Sequence, residues 1–480
     1  MTKRGFYISS SIVLAVLLSA VSVCVHAQRQ VINILSVNDM HSAIDQFPKF
    51  AAVADSLRRI DPELIVLGAG DNRTGNPFND RYSIPAYPMT ALMNAVGFKA
   101  SAIGNHEWDS GINGLGTLIN LSAFPYLCCN VNVPDSIHLD IEPYTFINVH
   151  GIRIGILGAI QTSVNGIPES HPKNLEGLSF CRADSIIARY EWMRQQCDYL
   201  ILLSHTGYET DLELAHLYPF FDQIIGGHTH TLTEPNDFHE GVLITQALNK
   251  LKYATHTTVV LNDGKVVSKE SEQINLQDRT TEDKATKMLL NVFRQNPELS
   301  RRVATAETDF TNAEELGCLM CDAILKETES DIALQNGGGV RISSLPAGPM
   351  TVSDVLRLDP FGNEAIIYEL TGKEVAEMIL GCFNTDSHQI PYVGGITYEM
   401  TVDRNLNAKS IELRNLDGSR FDLKKKYRMV TNSYVAAILP NPKSGSGTSC
   451  YISCSDLLID YLQKHQTVNY QGIRRTSIIK

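Results

Sequence analysis

Beyond Val25 the 480-residue sequence has no apolar run approaching the roughly 20 residues that a bilayer-spanning helix needs, which excludes a helical span from the rest of the chain. Positive charge is also scarce. Against 53 Asp and Glu there are 41 Lys and Arg, and the formal charge of −12 argues against an extended nucleic-acid partner. There is no internal repeat, no low-complexity tract and no composition of the disordered kind. Ten cysteines are present, but Cys318 and Cys321 lack the second pair that a four-sulfur zinc site requires, and their helical setting reads as packing. Vicinal Cys128 and Cys129 read as core residues, and Cys450 and Cys454 are spaced for a local disulfide in an oxidising compartment.

The beginning of the chain has its own pattern. Lys3 and Arg4 precede an apolar run from Ile12 to Val25, and Val25-His26-Ala27 has the small-residue form of a cleavage site. Residues 1–27 are therefore expected to be a secretory signal peptide, with lipidation at Cys24 the minority option because Val23 sits where a lipoprotein signal wants a small residue. Loss of Lys3 and Arg4 takes the charge from −12 to −14 and leaves nine cysteines, so at least one thiol is unpaired. The expected location is an exported compartment, periplasmic or at the cell surface.

From Val31 onward short apolar strands alternate with amphipathic helical stretches. Val31 to Val37, Leu64 to Leu67, Ala100 to Ile103, Ile152 to Leu157, Tyr199 to Leu203 and Gln223 to Ile225 read as buried strands, with helices over Phe50 to Arg59 and Ala183 to Gln196. This alternation predicts a layered α/β domain over residues 31–265, closed by the Asp263-Gly264 turn. The polar stretch 266–300, with a helix over Lys284 to Arg294, reads as a linker. Residues 301–480 mix helices (Glu314 to Thr328, Gly372 to Gly381, Ser455 to Gln463) with strands and are expected to form a smaller α+β domain.

Five segments at the ends of these strands carry ligand-type residues. Asp39 and His41 sit two apart in extended geometry, so that their side chains start on one face. Asp71 follows a Gly-Ala-Gly turn that brings a carboxylate close to a cation, where one oxygen can serve each of two metals. Asn105 offers an amide oxygen, and His205, His228 and His230 offer imidazoles after further apolar runs. His106 can protonate a leaving oxygen or stabilise phosphoryl charge, with Asp109 placed to orient it and raise its pKa. Imidazole and carboxylate together suit zinc, manganese, iron or cobalt. Two such ions side by side can ionise a water and clamp the oxygens of a displacement at phosphorus, so the chain reads as a metal-dependent phosphoester hydrolase.

The stretches Gly104-Asn-His-Glu-Trp-Asp109, Ser204-His-Thr-Gly207 and Gly226-Gly-His-Thr-His230 resemble the signatures of the two-domain 5′-nucleotidases and UDP-sugar hydrolases of the calcineurin-like metallophosphoesterase superfamily. The resemblance implies an α/β/β/α dimetal domain followed by a substrate-binding domain. It implies one metal, zinc, manganese or cobalt, on Asp39, His41, Asp71 and His230, a second on Asp71, Asn105, His205 and His228, and a catalytic dyad of His106 and Asp109. Some relatives have Gln or Asn where this chain has His230. In the second domain Asn336-Gly-Gly-Gly-Val-Arg341, Pro360-Phe-Gly-Asn363 and Val393-Gly-Gly-Ile396 carry the likeness.

Physically, the glycines around Gly338 let backbone approach an anion, while Arg341 offers a planar fork to phosphate. The resemblance implies two aromatics that stack the nucleobase, of which the second aligns with Tyr434 and the first falls near Ile390 to Val393, where Tyr392 is the aromatic. A Gly-Gly-Asp-Gly stretch that follows the second aromatic in the family is replaced here by Ile438-Leu-Pro-Asn-Pro442, and an arginine often found at the start of the family's domain by Asn312.

The leading expectation is an exported 5′-nucleotidase acting on nucleotides, with UDP-sugars or 2′,3′-cyclic nucleotides as further substrates. Asn336, Gly338, Arg341 and Tyr434 hold the substrate, and a hinge near the linker closes the domains. The alternatives are a hydrolase of a non-nucleotide ester or sulfur substrate, and an inactive exported nucleotide-binding protein.

Overall fold

The computed structural model describes residues 29–479, so the predicted signal peptide lies outside the described residues. Two six-stranded sheets form the first part of the chain. One runs, edge to edge, Lys265–Asn275, Tyr253–Asn262, Arg29–Val37, Ile65–Gly68, Ala100–Ala102 and Tyr126–Leu127. The other runs Asp237–His239, Val242–Thr245, Gln223–Ile225, Tyr199–His205, Ile152–Ile160 and Tyr144–Val149. The central strands of both are parallel, and their side chains alternate between two apolar environments.

Ile32, Ile34, Ile65, Leu67, Ile154, Ile156, Ile201 and Leu203 meet between the sheets. Leu35, Val37 and Val66 face the other way, into a core that includes Phe47 and Phe50 of the helix Phe47–Arg58 and Leu92 of Tyr87–Val96. Leu157, Leu200 and Leu202 pack on the opposite flank with Ile187 and Leu214. At about 1.5–3 kcal/mol per fully buried large aliphatic side chain, this two-sided burial fixes strand register and stacks the layers α/β/β/α.

Two sequence expectations shift. The Asp263-Gly264 turn joins a hairpin and does not end the domain, because Lys265–Asn275 pairs antiparallel with Tyr253–Asn262 and continues the first sheet. It is an edge strand with a largely exposed face, which is why its sequence reads as polar linker. The helix Lys284–Phe293 likewise places Leu290 and Phe293 in the first domain's core. The expected helix over Ala183 to Gln196 is a single turn, Ala183–Ile186, followed by a 3₁₀ stretch, Ile187–Gln196.

The second domain is α+β. Its main sheet is ordered Tyr392–Gly394, Ile332–Gln335, Lys426–Asn432, Glu364–Thr371 and Thr448–Ser453, flanked by two three-stranded sheets. The helices Ala313–Glu327, Gly372–Thr385 and Cys454–His465 cover it. Cys128 and Cys129 are core residues, and Cys318 and Cys321 are wholly buried. Cys450 and Cys454, whose spacing would permit a local disulfide, are free thiols here. Phe78 of the first domain packs against the second domain's core. Among the described residues no helix is long and apolar enough to cross a membrane.

Candidate metal centre and active site

All the predicted ligands sit at or just beyond the C-terminal ends of parallel strands: Asp39 after Arg29–Val37, Asp71 after Ile65–Gly68, Asn105 after Ala100–Ala102, His205 closing Tyr199–His205, and His228 and His230 after Gln223–Ile225. That is the end at which such sheets place their sites. Five of them leave the strand in left-handed backbone conformation, with φ of 47° at Asp39, 44° at His41, 53° at Asp71, 78° at His228 and 53° at His230. Each costs of order 1–3 kcal/mol in an ordinary setting, strain of the kind that gathers at functional sites.

The convergence needs glycine beside it. A Cβ on Gly104 would lie 2.2 Å from Asp71 Oδ1 and 2.5 Å from the Asp71 amide nitrogen. Glu107, a residue to which the sequence reading gave no role, staples the same loops together. Its carboxylate accepts from the amides of Asp71 (2.9 Å), Asn72 (2.8 Å) and Gly104 (2.7 Å).

The donor atoms fall into two groups sharing Asp71. His41 Nε2 lies 2.9 Å from His230 Nε2 and 3.9 Å from both Asp39 Oδ1 and Asp71 Oδ2, with His230 Nε2 3.4 Å from Asp39 Oδ1. His205 Nε2 lies 3.3 Å from Asp71 Oδ2 and 3.3 Å from Asn105 Oδ1, and His228 Nδ1 lies 3.1 Å from that same amide oxygen. Ligand atoms about 2.1 Å from one tetrahedral ion are about 3.4 Å apart, so these separations suit a first-row divalent metal in each group.

The electrostatics agree. Despite burial, the carboxylates of Asp71 and Asp39 push the His205 ring up to about 10, which marks a place short of positive charge. Burial and the Arg341 guanidinium hold His41 well below its ordinary value, keeping it the neutral ring a metal takes. The Ala69 carbonyl, 2.7 Å from His205 Nδ1, fixes the tautomer that leaves Nε2 free.

His106 stands at the edge of this cluster. Its Nε2 is 4.0 Å from Asp71 Oδ2, while its Nδ1 is 2.8 Å from Asp109 Oδ2, whose other partner is the Thr74 hydroxyl at 2.5 Å. Burial opposes charge on His106, but Asp109 and Asp71 outweigh it and hold the imidazole above its ordinary value. Across the domain boundary Arg341 Nη2 is 3.3 Å from His106 Nε2 and 3.4 Å from His41 Nδ1.

A cavity of about 430 Å³ opens between the domains here, lined by Asn105, His106 and Asp109 on one side and by Asn336, Gly338, Arg341, Phe361, Asp386 and Tyr434 on the other. Phe361 stacks on His106 with centroids 5.9 Å apart. Buried Asp386 accepts from Asn336 Nδ2 (3.1 Å), the Gly338 amide (3.2 Å) and the Tyr434 hydroxyl (3.3 Å). Its carboxyl is raised by that burial.

Phe361 corrects the sequence reading, because Tyr392 packs against Gly317 of the helix Ala313–Glu327 and does not line the cavity. The signal for Phe361 was present in Pro360-Phe-Gly-Asn363, whereas nothing in the sequence pointed to Asp386. Asn312 caps the helix Ala313–Glu327 by accepting from the Glu315 amide at 3.1 Å and does not line the cavity.

Comparison with known proteins places these observations in a family. The calcineurin-like phosphoesterase model matches residues 32–232 and the 5′-nucleotidase C-terminal domain model matches residues 292–438. A 5′-nucleotidase of Vibrio parahaemolyticus is 25% identical over 489 residues, covering 86% of this chain and 84% of that protein. The trifunctional nucleotide phosphoesterase protein YfkN of Bacillus subtilis is 24% identical over 88% of this chain, which spans only 32% of that longer protein.

Among solved structures, a 5′-nucleotidase precursor from Thermus thermophilus superposes with a TM-score of 0.83 at 24% identity, over 94% of this chain and all of that one. The sulfate thiohydrolase SoxB shares the fold with a TM-score of 0.73 at 18% identity, over 90% of this chain and 83% of its own. With both family models matched in order and a 5′-nucleotidase aligned over most of its length, the chain belongs to the two-domain 5′-nucleotidase family of metal-dependent phosphoester hydrolases.

Proposed function

We propose that the protein is an exported 5′-nucleotidase, releasing phosphate from nucleotides, with UDP-sugars and cyclic nucleotides as further substrates. The observation that carries this reading is the meeting of Arg341 with His106 and His41 at the mouth of a cavity that also holds Phe361 and Tyr434. A phosphate anchored at the first domain and a base held by the second fit one ligand.

Asp39, His41, Asp71 and His230 would hold one divalent ion, zinc, manganese or cobalt, and Asp71, Asn105, His205 and His228 would hold the other. When bound, such a pair supplies Lewis acidity and a low-pKa water. His106, oriented through Nδ1 by Asp109, presents Nε2 to the phosphoryl group and donates its proton as the ester oxygen departs. Arg341 neutralises a phosphoryl oxygen with its planar fork. Phe361 and Tyr434 offer aromatic faces to the base, and Asp386 holds Tyr434 and the Asn336 loop in one arrangement. The signal peptide at residues 1–27 and a boundary between the domains near residue 300 belong to the same proposal.

The test is phosphate release by the mature protein loaded with manganese, zinc or cobalt, over 5′-nucleotides, cyclic nucleotides, nucleotide sugars and sugar phosphates, with His106→Ala beside it. Turnover of nucleotides that His106→Ala lowers by about 10²–10⁴ supports the proposal. Turnover confined to other esters, or equal rates in the variant, refutes it.

A further inference from the structure

A second interdomain cleft, of about 260 Å³, shares none of its lining with the larger cavity but includes His41 from the ligand cluster. Arg341, in contact with both His41 and His106, stands between the two spaces. The first domain contributes Lys250 and Lys252 to the cleft, and the second contributes Arg357 and Ile342. Lys252, Arg357 and Arg341 all lie close enough to Lys250 to repel its ammonium. Among the described residues neither Lys250 nor Lys252 has a carboxylate within 4.0 Å. Lys250 Nζ has, among the described residues, a single hydrogen bond, to the Arg341 carbonyl at 3.1 Å. Asp45, the carboxylate that lines the cleft, is already paired with Arg294 at 2.5 Å, and the Asp354 partner of Arg357 stands off at 3.7 Å.

This positive charge is held in place at some expense. Leu248, Lys250 and Leu251 all have left-handed backbone, with φ of 61°, 51° and 51°, although neither Leu nor Lys is suited to it. The segment is pinned to the metal ligands and their neighbour: Asn38 Nδ2 donates to the Leu248 carbonyl (2.8 Å), Asn249 meets His230 Nδ1 (2.9 Å), and the Lys250 amide donates to the Asp39 carbonyl (2.8 Å). The lysines are thus fixed to the same loops that carry the metal site.

We propose that this cleft is a second oxyanion site, which takes the inorganic phosphate that leaves the metal ligands; the identity of the anion rests on the function proposed above. Arg357 supplies a planar fork for two phosphate oxygens, and Lys250 and Lys252 supply point charges. The volume leaves room for the anion and several waters, at about 30 Å³ per water. Because its two walls belong to different domains, the site is complete only when they are together.

The experiment is equilibrium dialysis of radiolabelled inorganic phosphate against the full mature chain loaded with manganese, alongside Lys252→Gln, Arg357→Gln and the double variant. The wild type is expected to bind two molar equivalents, each single variant to weaken the second equivalent by about tenfold or more, and the double variant to keep one equivalent. The retained equivalent reports a folded metal site. One equivalent or none in the wild type, or two of unaltered affinity in the variants, overturns the proposal. Two equivalents without nucleotide hydrolysis leave the site standing and remove the proposed function, whereas hydrolysis with one equivalent does the reverse.

Discussion

Gly104→Ala adds one methyl group and tests whether the ligand loops are as closely seated as their geometry indicates. Gly104 does not have the left-handed φ of Gly70, so alanine meets no backbone penalty of its own there, and the whole effect comes from contact. The new Cβ would sit 2.2 Å from Asp71 Oδ1 and 2.9 Å from Asp71 Cγ, roughly 1 Å inside ordinary contact. The obstacle is a carboxylate fixed on both sides. Its Oδ1 accepts from the His106 amide at 2.8 Å, and the Asp71 amide donates to Glu107 at 2.9 Å.

Over-packing of this kind costs about 1–3 kcal/mol, and a 1 Å displacement of a reacting group costs about 10² in rate. The expected result is therefore a fall in kcat/KM of about 10², loss of bound metal because Asp71 serves both groups, and a Tm lower by about 2–4 °C per kcal/mol. Phosphate release, metal content by mass spectrometry and calorimetry read the three. Gly116→Ala is the control. Its Cβ meets Leu139 Cδ1 at an ordinary 3.5 Å inside the helix Gly111–Leu121, where alanine is favoured over glycine by about 1 kcal/mol. Full metal content and wild-type turnover in Gly104→Ala would refute the account of Asp71 as the shared ligand.

Arg341→Ala removes charge-assisted bonds worth about 1.5–3 kcal/mol each, so kcat/KM is expected to fall by about 10–10³ with both metals retained, and Arg341→Lys to rescue little because it lacks the fork; loss of metal would contradict this. Phe361→Ala and Tyr434→Ala are each expected to weaken nucleotides by about 1–3 kcal/mol while leaving β-glycerophosphate unaffected, and equal losses on both substrates would remove the stacking role. Asp359 gives a pH dependence away from the metals. Burial raises its carboxyl to about 7, so the folded chain keeps a proton that the unfolded chain has lost, and the stability present at low pH declines as pH rises through about 7. The difference from an ordinary carboxyl is up to about 4 kcal/mol. Asp359→Asn is expected to raise Tm at pH 8 more than at pH 5, and a uniform shift would exclude linkage to this group.

The proposed metal ligands stand out in the sequence because each follows a buried strand, and Asp71, Asn105, His205 and His228 also have glycine within two residues, so local pattern and tertiary position coincide. Asp71, Asn105 and His205 come together because the parallel strands of two packed sheets deliver their ends to one place. Glu107 was invisible for the opposite reason: its role as a three-amide acceptor exists only once two loops distant in sequence are closed over it. Asp386 is a similar case, at the C-cap of Gly372–Thr385 and defined by partners about fifty residues away. Phe361 lines the cavity and Tyr392 does not, because spacing fixes which residues lie near a sheet end but not which side chain turns toward the cleft. Edge strand Lys265–Asn275 was lost because alternation fades when little of one face is buried.

The left-handed backbone at Asp39, His41, Asp71, His228 and His230 has a bearing on how this site can change over evolutionary time. Asn, Asp and His are the non-glycine residues most at home in that conformation, and they are also the oxygen and nitrogen donors that a divalent ion accepts. A position already bent this way can trade one of these side chains for another with little conformational penalty, whereas a β-branched replacement meets both a steric and a chemical barrier. The backbone thus filters the mutations available to the site toward those that still bind metal, leaving the choice of metal open to drift while the existence of a metal site is not.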